Sequence, residues 1–207
     1  MTVALLICVV PPTGNPFVMI AADSRSLDEE GTQANNAKKI FKAGNAYMST
    51  SGSVPDEYRE DVARVLGERP IGTIEEKMDA LQRIFYEDKR DYDLQQMNVG
   101  LVQFDSNGNP QMGLRGINPE GEYPTLGPWT YDKKLPDVQD IYFGVTRTEE
   151  VDRLRIEFQD RLRSQLDAGK INKTSVENAA KWFIGKVAKI YPDTVNSVVQ
   201  TKTMRFK

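Results

Sequence analysis

The sequence predicts an α+β protein: two stacked, mostly antiparallel sheets with a pair of helices on each outer face. Three observations carry this reading. Strand-like and helix-like segments come in groups (strands, two helices, strands, two helices, strand), not in the strict alternation of a doubly wound sheet. The first two strands are near-continuously apolar, as strands covered on both faces are. Four helix-start signals fall in two pairs. At 207 residues the chain is long enough to bury a real core, and residues 1–207 read as a single domain.

The elements follow in order. Val3 to Val10 is a strand, halted by Pro11-Pro12-Thr13-Gly14-Asn15-Pro16. Phe17 to Ala22 is its hairpin partner across that longer connection. A polar stretch covers Ser24 to Asn36. Lys39 to Lys42 and Ala46 to Ser51 read as short strands around a turn at Gly44-Asn45. Ser53 can cap a helix over Val54 to Leu66, with Pro55 tolerated in its first turn and Val54, Tyr58, Val62, Val65 and Leu66 as its stripe. Thr73-Ile74-Glu75-Glu76 is a capping box opening a helix to about Asp91, with Met78, Leu81, Ile84 and Phe85 at helical spacing.

Met97 to Phe104, the turn Asp105 to Asn109, and Gln111 to Gly116 make a hairpin, and Asp140 to Val145 is a further strand. Thr146 to Glu149 is a third capping box, ahead of Val151, Leu154, Ile156, Phe158, Leu162 and Leu166. Thr174 to Glu177 is the fourth start signal, ahead of Ala179, Ala180, Phe183, Ile184, Val187 and Ile190. Tyr191-Pro192-Asp193 stops that helix, and Asn196 to Met204 closes the chain as a strand.

Composition excludes several function classes. Hydrophobic residues at 39% and charged residues at 28% indicate a soluble globular chain. A net charge of −3 with mixed signs offers no nucleic-acid-binding surface. Apolar runs are too short to span a bilayer. The run after Met1 has no basic region before it and no cleavage site, which argues against a signal peptide. The lone Cys8 excludes an internal disulfide and fits a reducing cytoplasm.

Histidine is absent, so Ser–His–Asp and Cys–His catalysis are impossible within the chain, as are His-based zinc sites. No phosphate-binding glycine loop occurs, no metal-ligand spacing stands out, and no cofactor is expected. A catalytic base must be a carboxylate, a lysine, a tyrosine or an α-amine.

Thr2 lies directly behind Met1, and small residues in that place usually let the initiator be trimmed. Trimming leaves a hydroxyl nucleophile and an amine base in one residue. Downstream, Phe17-Val18-Met19-Ile20-Ala21-Ala22-Asp23-Ser24-Arg25 resembles the second strand of proteasome β-type subunits. Asn36-Ala37-Lys38-Lys39-Ile40-Phe41 resembles their segment around the catalytic lysine. Met48-Ser49-Thr50-Ser51-Gly52-Ser53-Val54 resembles the strand and glycine turn that enter their first helix.

Three motifs in order are more specific than any one alone. The resemblance implies the αββα four-layer sandwich of the N-terminal-nucleophile hydrolases. Residue by residue it implies Thr2 as nucleophile, Asp23 as the acid that holds the lysine, Lys39 as that lysine, and Gly52 as the N–H facing the developing oxyanion. Arg25 matches a structural arginine beside the acid. Thr50 falls where the family shapes its main specificity pocket, and a small polar residue there argues against a deep apolar one.

The sequence also departs from the family. Its first hairpin is longer, and the Gly-Ser-Gly signature before the third helix is missing. The matching region is Phe143-Gly144-Val145-Thr146-Arg147, where Thr146 either replaces the family serine or caps the helix, and the cap is the favoured reading. With Met1 attached the amine base is absent and Thr2 is inactive.

The implied function is a proteasome-like threonine peptidase. It would act on peptides or unfolded protein within a homo-oligomeric ring, with no unfoldase partner legible. The alternatives are an inactive scaffold subunit of the same fold and a small-molecule amidase of the same chemistry.

Overall fold

The computed structural model describes residues 2–27, 33–52, 54–68, 72–88, 96–118 and 120–206. In chain order, β1 is Ala4–Val10, β2 Phe17–Asp23, β3 Ser26–Leu27, β4 Gln33–Ala34, β5 Ile40–Ala43 and β6 Ala46–Gly52. Helices α1 (Asp56–Glu68) and α2 (Ile74–Asp88) follow, then β7 (Met97–Phe104), β8 (Pro110–Ile117), β9 (Thr125–Thr130) and β10 (Asp137–Phe143). Helices α3 (Glu149–Asp167) and α4 (Lys173–Ile190) precede β11 (Val199–Arg205). The predicted grouping of strands and helix pairs is the observed one.

One sheet has the order β10-β1-β2-β11 and the other β5-β6-β7-β8-β9, every pair antiparallel. Strand β1 shows why the apolar runs are continuous. Leu5, Ile7 and Val9 point to the layer of α3 and α4, where Phe158 and Phe183 lie. Leu6 and Cys8 point the other way, into the space between the sheets, with Val102, Met112 and Leu114. A strand buried on both faces has no polar side to alternate with. On the outer face of the second sheet, Met48, Val99 and Leu101 pack against Tyr58, Val62, Met78, Leu81 and Phe85 from α1 and α2. A side chain at Gly100 of β7 would meet Phe143 and Leu6 of the opposite sheet at 2.6 and 2.9 Å, so the sheets touch there with no room for a methyl group.

Several boundaries differ from expectation. The Thr73–Glu76 capping box is present, with Glu76 N–H donating to Thr73 Oγ1 at 3.1 Å and Thr73 N–H to Glu76 Oε2 at 3.0 Å. The cap of α3 is Thr148, not Thr146: its side chain accepts from the Val151 N–H. The cap of α4 is Asn172, which forms a reciprocal box with Ser175 two residues before the expected start at Thr174.

Ile156, expected in the buried stripe of α3, is 57% exposed. Strand β10 begins earlier than expected and β11 later. Strand β9 and the small β3-β4 hairpin were not anticipated. The expected cap Ser53 and the end of the second helix beyond Asp88 lie outside the described residues. Among the described residues no helix is long and apolar enough to cross a membrane.

Candidate active site

The site residues gather at one end of the sandwich because the antiparallel register brings strand ends together. Ala4 lies opposite both Ala22 and Phe143, so the start of β1, the end of β2 and the end of β10 coincide. Val199 lies opposite Asp23, which brings in the start of β11. Ile40 lies opposite Ser49, which places Lys39 near the end of β6.

Thr2 is buried, at 3% exposure, just before β1. Its position is set by both neighbours. The Val3 N–H donates to Asp23 Oδ1 at 3.0 Å, and the Asp23 N–H donates to the Val3 carbonyl at 3.1 Å. On the other side lies Gly144, with φ +93°, where a side chain would stand 1.9 Å from the Thr2 carbonyl and 2.8 Å from Ser51 Cβ. Only glycine fits this close approach and this backbone conformation together. The glycine of Phe143-Gly144-Val145 therefore has a physical role as the wall behind Thr2. Thr146, two residues on, is exposed and contributes its carbonyl to the Tyr191 hydroxyl at 3.2 Å.

Asp23 is fully buried. Its carboxylate accepts from two backbone amides, Val3 at Oδ1 and Arg25 at Oδ2, both at 3.0 Å. Burial pushes the carboxyl up from its ordinary value, opposed by those amides and by the Lys39 cation. Arg25 thus serves Asp23 through its main chain. Its guanidinium reaches away to Asn35 Oδ1, at 3.1 Å, and to the Pro192 carbonyl.

Lys39 is 2% exposed. Its backbone N–H donates to Gln200 Oε1 at 3.2 Å, while Gln200 Nε2 donates to the Ala37 carbonyl at 2.6 Å, so one amide of β11 clamps the segment that carries the lysine. Burial first, and Arg59 second, push the ammonium down to about 8, opposed by Asp23 and Asp56. Among the described residues the ammonium makes no ion pair within 4.0 Å.

Gly52 ends β6 with φ +116°, and a side chain there would lie 2.2 Å from the Gln96 carbonyl. Thr50 is fully buried opposite Val99, on the face that meets α1 and α2, and its hydroxyl has no hydrogen-bond partner among the described residues. Across a pair of strands opposite residues share a face, so Thr50 belongs with Met48 and Val99 on that side.

Two groups of residues were not anticipated. Asn196 accepts from the Ser24 N–H at 3.1 Å and donates to the Asn35 carbonyl at 3.3 Å, fixing the turn after Asp23. Arg59 of α1 is 4% exposed and donates to the Gly52 carbonyl at 3.2 Å. Arg59 carried a readable signal. A charged residue one position after Tyr58 and three before Val62 lies at the border of the helix stripe, where it can turn inward. Asn196 and Gln200 carried none, because their partners are far away in sequence.

No family model and no curated protein matches the sequence. Solved structures do match in fold. The helical assembly of the Anbu complex from Pseudomonas aeruginosa aligns with a TM-score of 0.59 at 13% identity, over 98% of this chain and 80% of that one. Anbu, an ancestral beta-subunit, from Yersinia bercovieri aligns at 0.56 and 11% identity, over 98% and 81%. Eukaryotic HslV from Trypanosoma brucei aligns at 0.54 and 13% identity, over 98% and 99%. Together with the two main antiparallel sheets and the four helices among the described residues, these likenesses show the four-layer αββα fold of proteasome-like subunits such as Anbu and HslV.

Proposed function

We propose that the chain is a proteasome-like threonine peptidase, in which Thr2, freed of Met1, attacks a peptide carbonyl within a homo-oligomer. The observation that carries the reading is the pair of bonds between Val3 and Asp23. They hold the residue after Thr2 against the acid that is coupled to Lys39, at the strand ends where Gly52 and Gly144 also lie.

The chemistry follows from these groups. The Thr2 oxygen bonds to the carbonyl carbon while its proton passes to the α-amine, whose reference pKa of about 8 suits neutral pH. The Gly52 N–H is the donor for the oxyanion. Collapse breaks the carbon–nitrogen bond, and the proton leaves with the departing amine. Water then cleaves the ester and restores the Thr2 hydroxyl. Lys39 supplies positive charge to the developing alkoxide, and Asp23 favours the charged form of the lysine through space. One fold neighbour, the Anbu complex from Pseudomonas aeruginosa, forms a helical assembly, which favours a multi-copy state for this chain.

A boronate or β-lactone that captures N-terminal threonine tests this reading. Protein that intact mass shows to lack Met1 is expected to gain one adduct and to hydrolyse short peptides. Thr2→Ala is expected to lose both, by at least about 10³-fold in rate. Full hydrolysis by Thr2→Ala would refute the role of Thr2. The second reading, an inactive scaffold of the same fold, is favoured by Thr146: the hydroxyl nearest the lost family serine is exposed and does not cap α3. Absence of labelling in Met1-free, folded protein would select it.

A further inference from the structure

We propose that Arg59 is a positioning residue of this site, one that locks the Gly52 turn and sets a second buried cation beside Lys39. The inference rests on the peptidase reading for its meaning, but its geometry stands alone. Arg59 is on the first turn of α1, and its guanidinium bridges two groups. Nη2 donates to the Gly52 carbonyl at 3.2 Å, Nη1 donates to Asp56 Oδ1 at 2.6 Å, and Nε is buried with no hydrogen-bond partner among the described residues. The Asp56 side chain is 59% exposed while that of Arg59 is 5% exposed, so the pair anchors a buried cation from the surface.

Each contact has a consequence for the site. Gly52 is in a conformation with φ +116° that glycine adopts freely, and nothing in its own side chain restrains it. A charged donor on its carbonyl restrains rotation of the backbone at Gly52, the residue whose N–H is the candidate oxyanion donor. Bonds from a charged donor are the stronger kind. A misaligned oxyanion donor costs roughly 10²-fold or more in rate, so a clamp at this point is worth having.

The second consequence is electrostatic. The charges that act on Lys39 are Arg59 and Asp56 from α1 and Asp23 from β2. Arg59 is the repulsive member of that set, and it makes the Lys39 ammonium readier to release a proton. A lysine that shares charge with a neighbouring cation is poised near working pH.

Two readouts separate this proposal from the peptidase reading. In full-length protein labelled with 13C at the lysine ε-carbon, the Lys39 signal is identified by its loss in Lys39→Met. Its titration midpoint is expected near 8 in the parent chain. Arg59→Gln is expected to move the midpoint upward, Arg59→Lys to leave it nearly in place, and Asp56→Asn to move it downward. This measurement needs no activity.

In Met1-free protein, Arg59→Gln is expected to slow capture of the boronate or β-lactone by about 10-fold or more and to shift its pH profile upward. Arg59→Lys is expected to restore the profile but not the full rate. Should Arg59→Gln not fold, the Arg59→Lys and Asp56→Asn titrations decide alone. An Lys39 midpoint unmoved in folded Arg59→Gln, or unmoved in Asp56→Asn when Arg59→Gln does not fold, overturns the proposal. A parent chain that never labels overturns the peptidase reading and leaves the Lys39 titration to decide the place of Arg59.

Discussion

Lys39 is the residue at which stability and the proposed chemistry oppose each other. Its ammonium is buried, and its proton affinity falls to about 8 from an ordinary value of 10.5. Between those two pH values the unfolded chain binds more protons at this position than the folded chain does. Stability therefore rises as pH increases through that window, and the burden of the buried charge is greatest below it. Lys39→Met keeps the length of the side chain and removes the charge. It is expected to stabilise the fold at pH 7 by about 2–3 kcal/mol, and by progressively less as pH approaches 10.5. Urea unfolding of both proteins at pH 7 and pH 10 checks this. Equal stability differences at the two pH values, or a loss at pH 7, would contradict the assignment. A group that destabilises its own fold when charged is what a site built for function retains.

At the scale of elements, the capping box at α2 is the clearest link from sequence to structure. Thr73 and Glu76 exchange backbone and side-chain bonds at 3.0 and 3.1 Å, and Glu76 also accepts from the Gly72 N–H at 3.0 Å. Those bonds, Thr73 first, pull the Glu76 carboxyl below its usual range. Thr73 is exposed, so Thr73→Ala loses the cap and little else. The expected cost is about 1 kcal/mol, a fall in melting temperature of roughly 2–4 °C for a chain of this size. A melt unchanged by the substitution would mean that the box adds nothing in context.

The same local logic explains what was legible and what was not. Apolar runs, turns and start signals revealed β1, β2, β5, β6, β7, β8 and both helix pairs, because their causes lie within a few residues. The alternative caps Thr148 and Asn172 escaped because Thr146 and Thr174 offer the same chemistry two residues away. Strand β9 escaped because Gly127-Pro128 interrupts it, and an edge strand tolerates a residue without an N–H where a central one does not. Arg59 escaped because a charge on a helix usually faces water. Thr2, Asp23, Lys39 and Gly52 stand as candidates through resemblance alone, since which strand ends lie side by side depends on register and not on spacing.

For the molecule as a whole, the candidate site exists only when both sheets are in place. Thr2 and Asp23 come from β1 and β2, Gly144 follows β10, and Lys39 and Gly52 border strands of the opposite sheet. The five residues are spread over positions 2 to 144, so no single hairpin or helix pair contains them. The sheets are held together where Gly100 meets Phe143 and Leu6, and Phe143 adjoins the glycine behind Thr2.

The bond from the Val3 N–H to Asp23 has one more consequence, in hydrogen exchange. The amides nearest a chain terminus normally swap with solvent first, because termini fray. Here residue 3 is fully buried, donates to a carboxylate and continues into a strand covered on both faces. Its proton can leave only when the whole sandwich opens, so it should exchange with the slowest class, alongside Leu5 to Val9 and well after the amides of the exposed edge strand β9. Rapid exchange at Val3 in folded protein would show an end that frays on its own. Slow exchange would make the front of this chain a reporter of global unfolding, with the candidate nucleophile fastened to the last part of the molecule to let go.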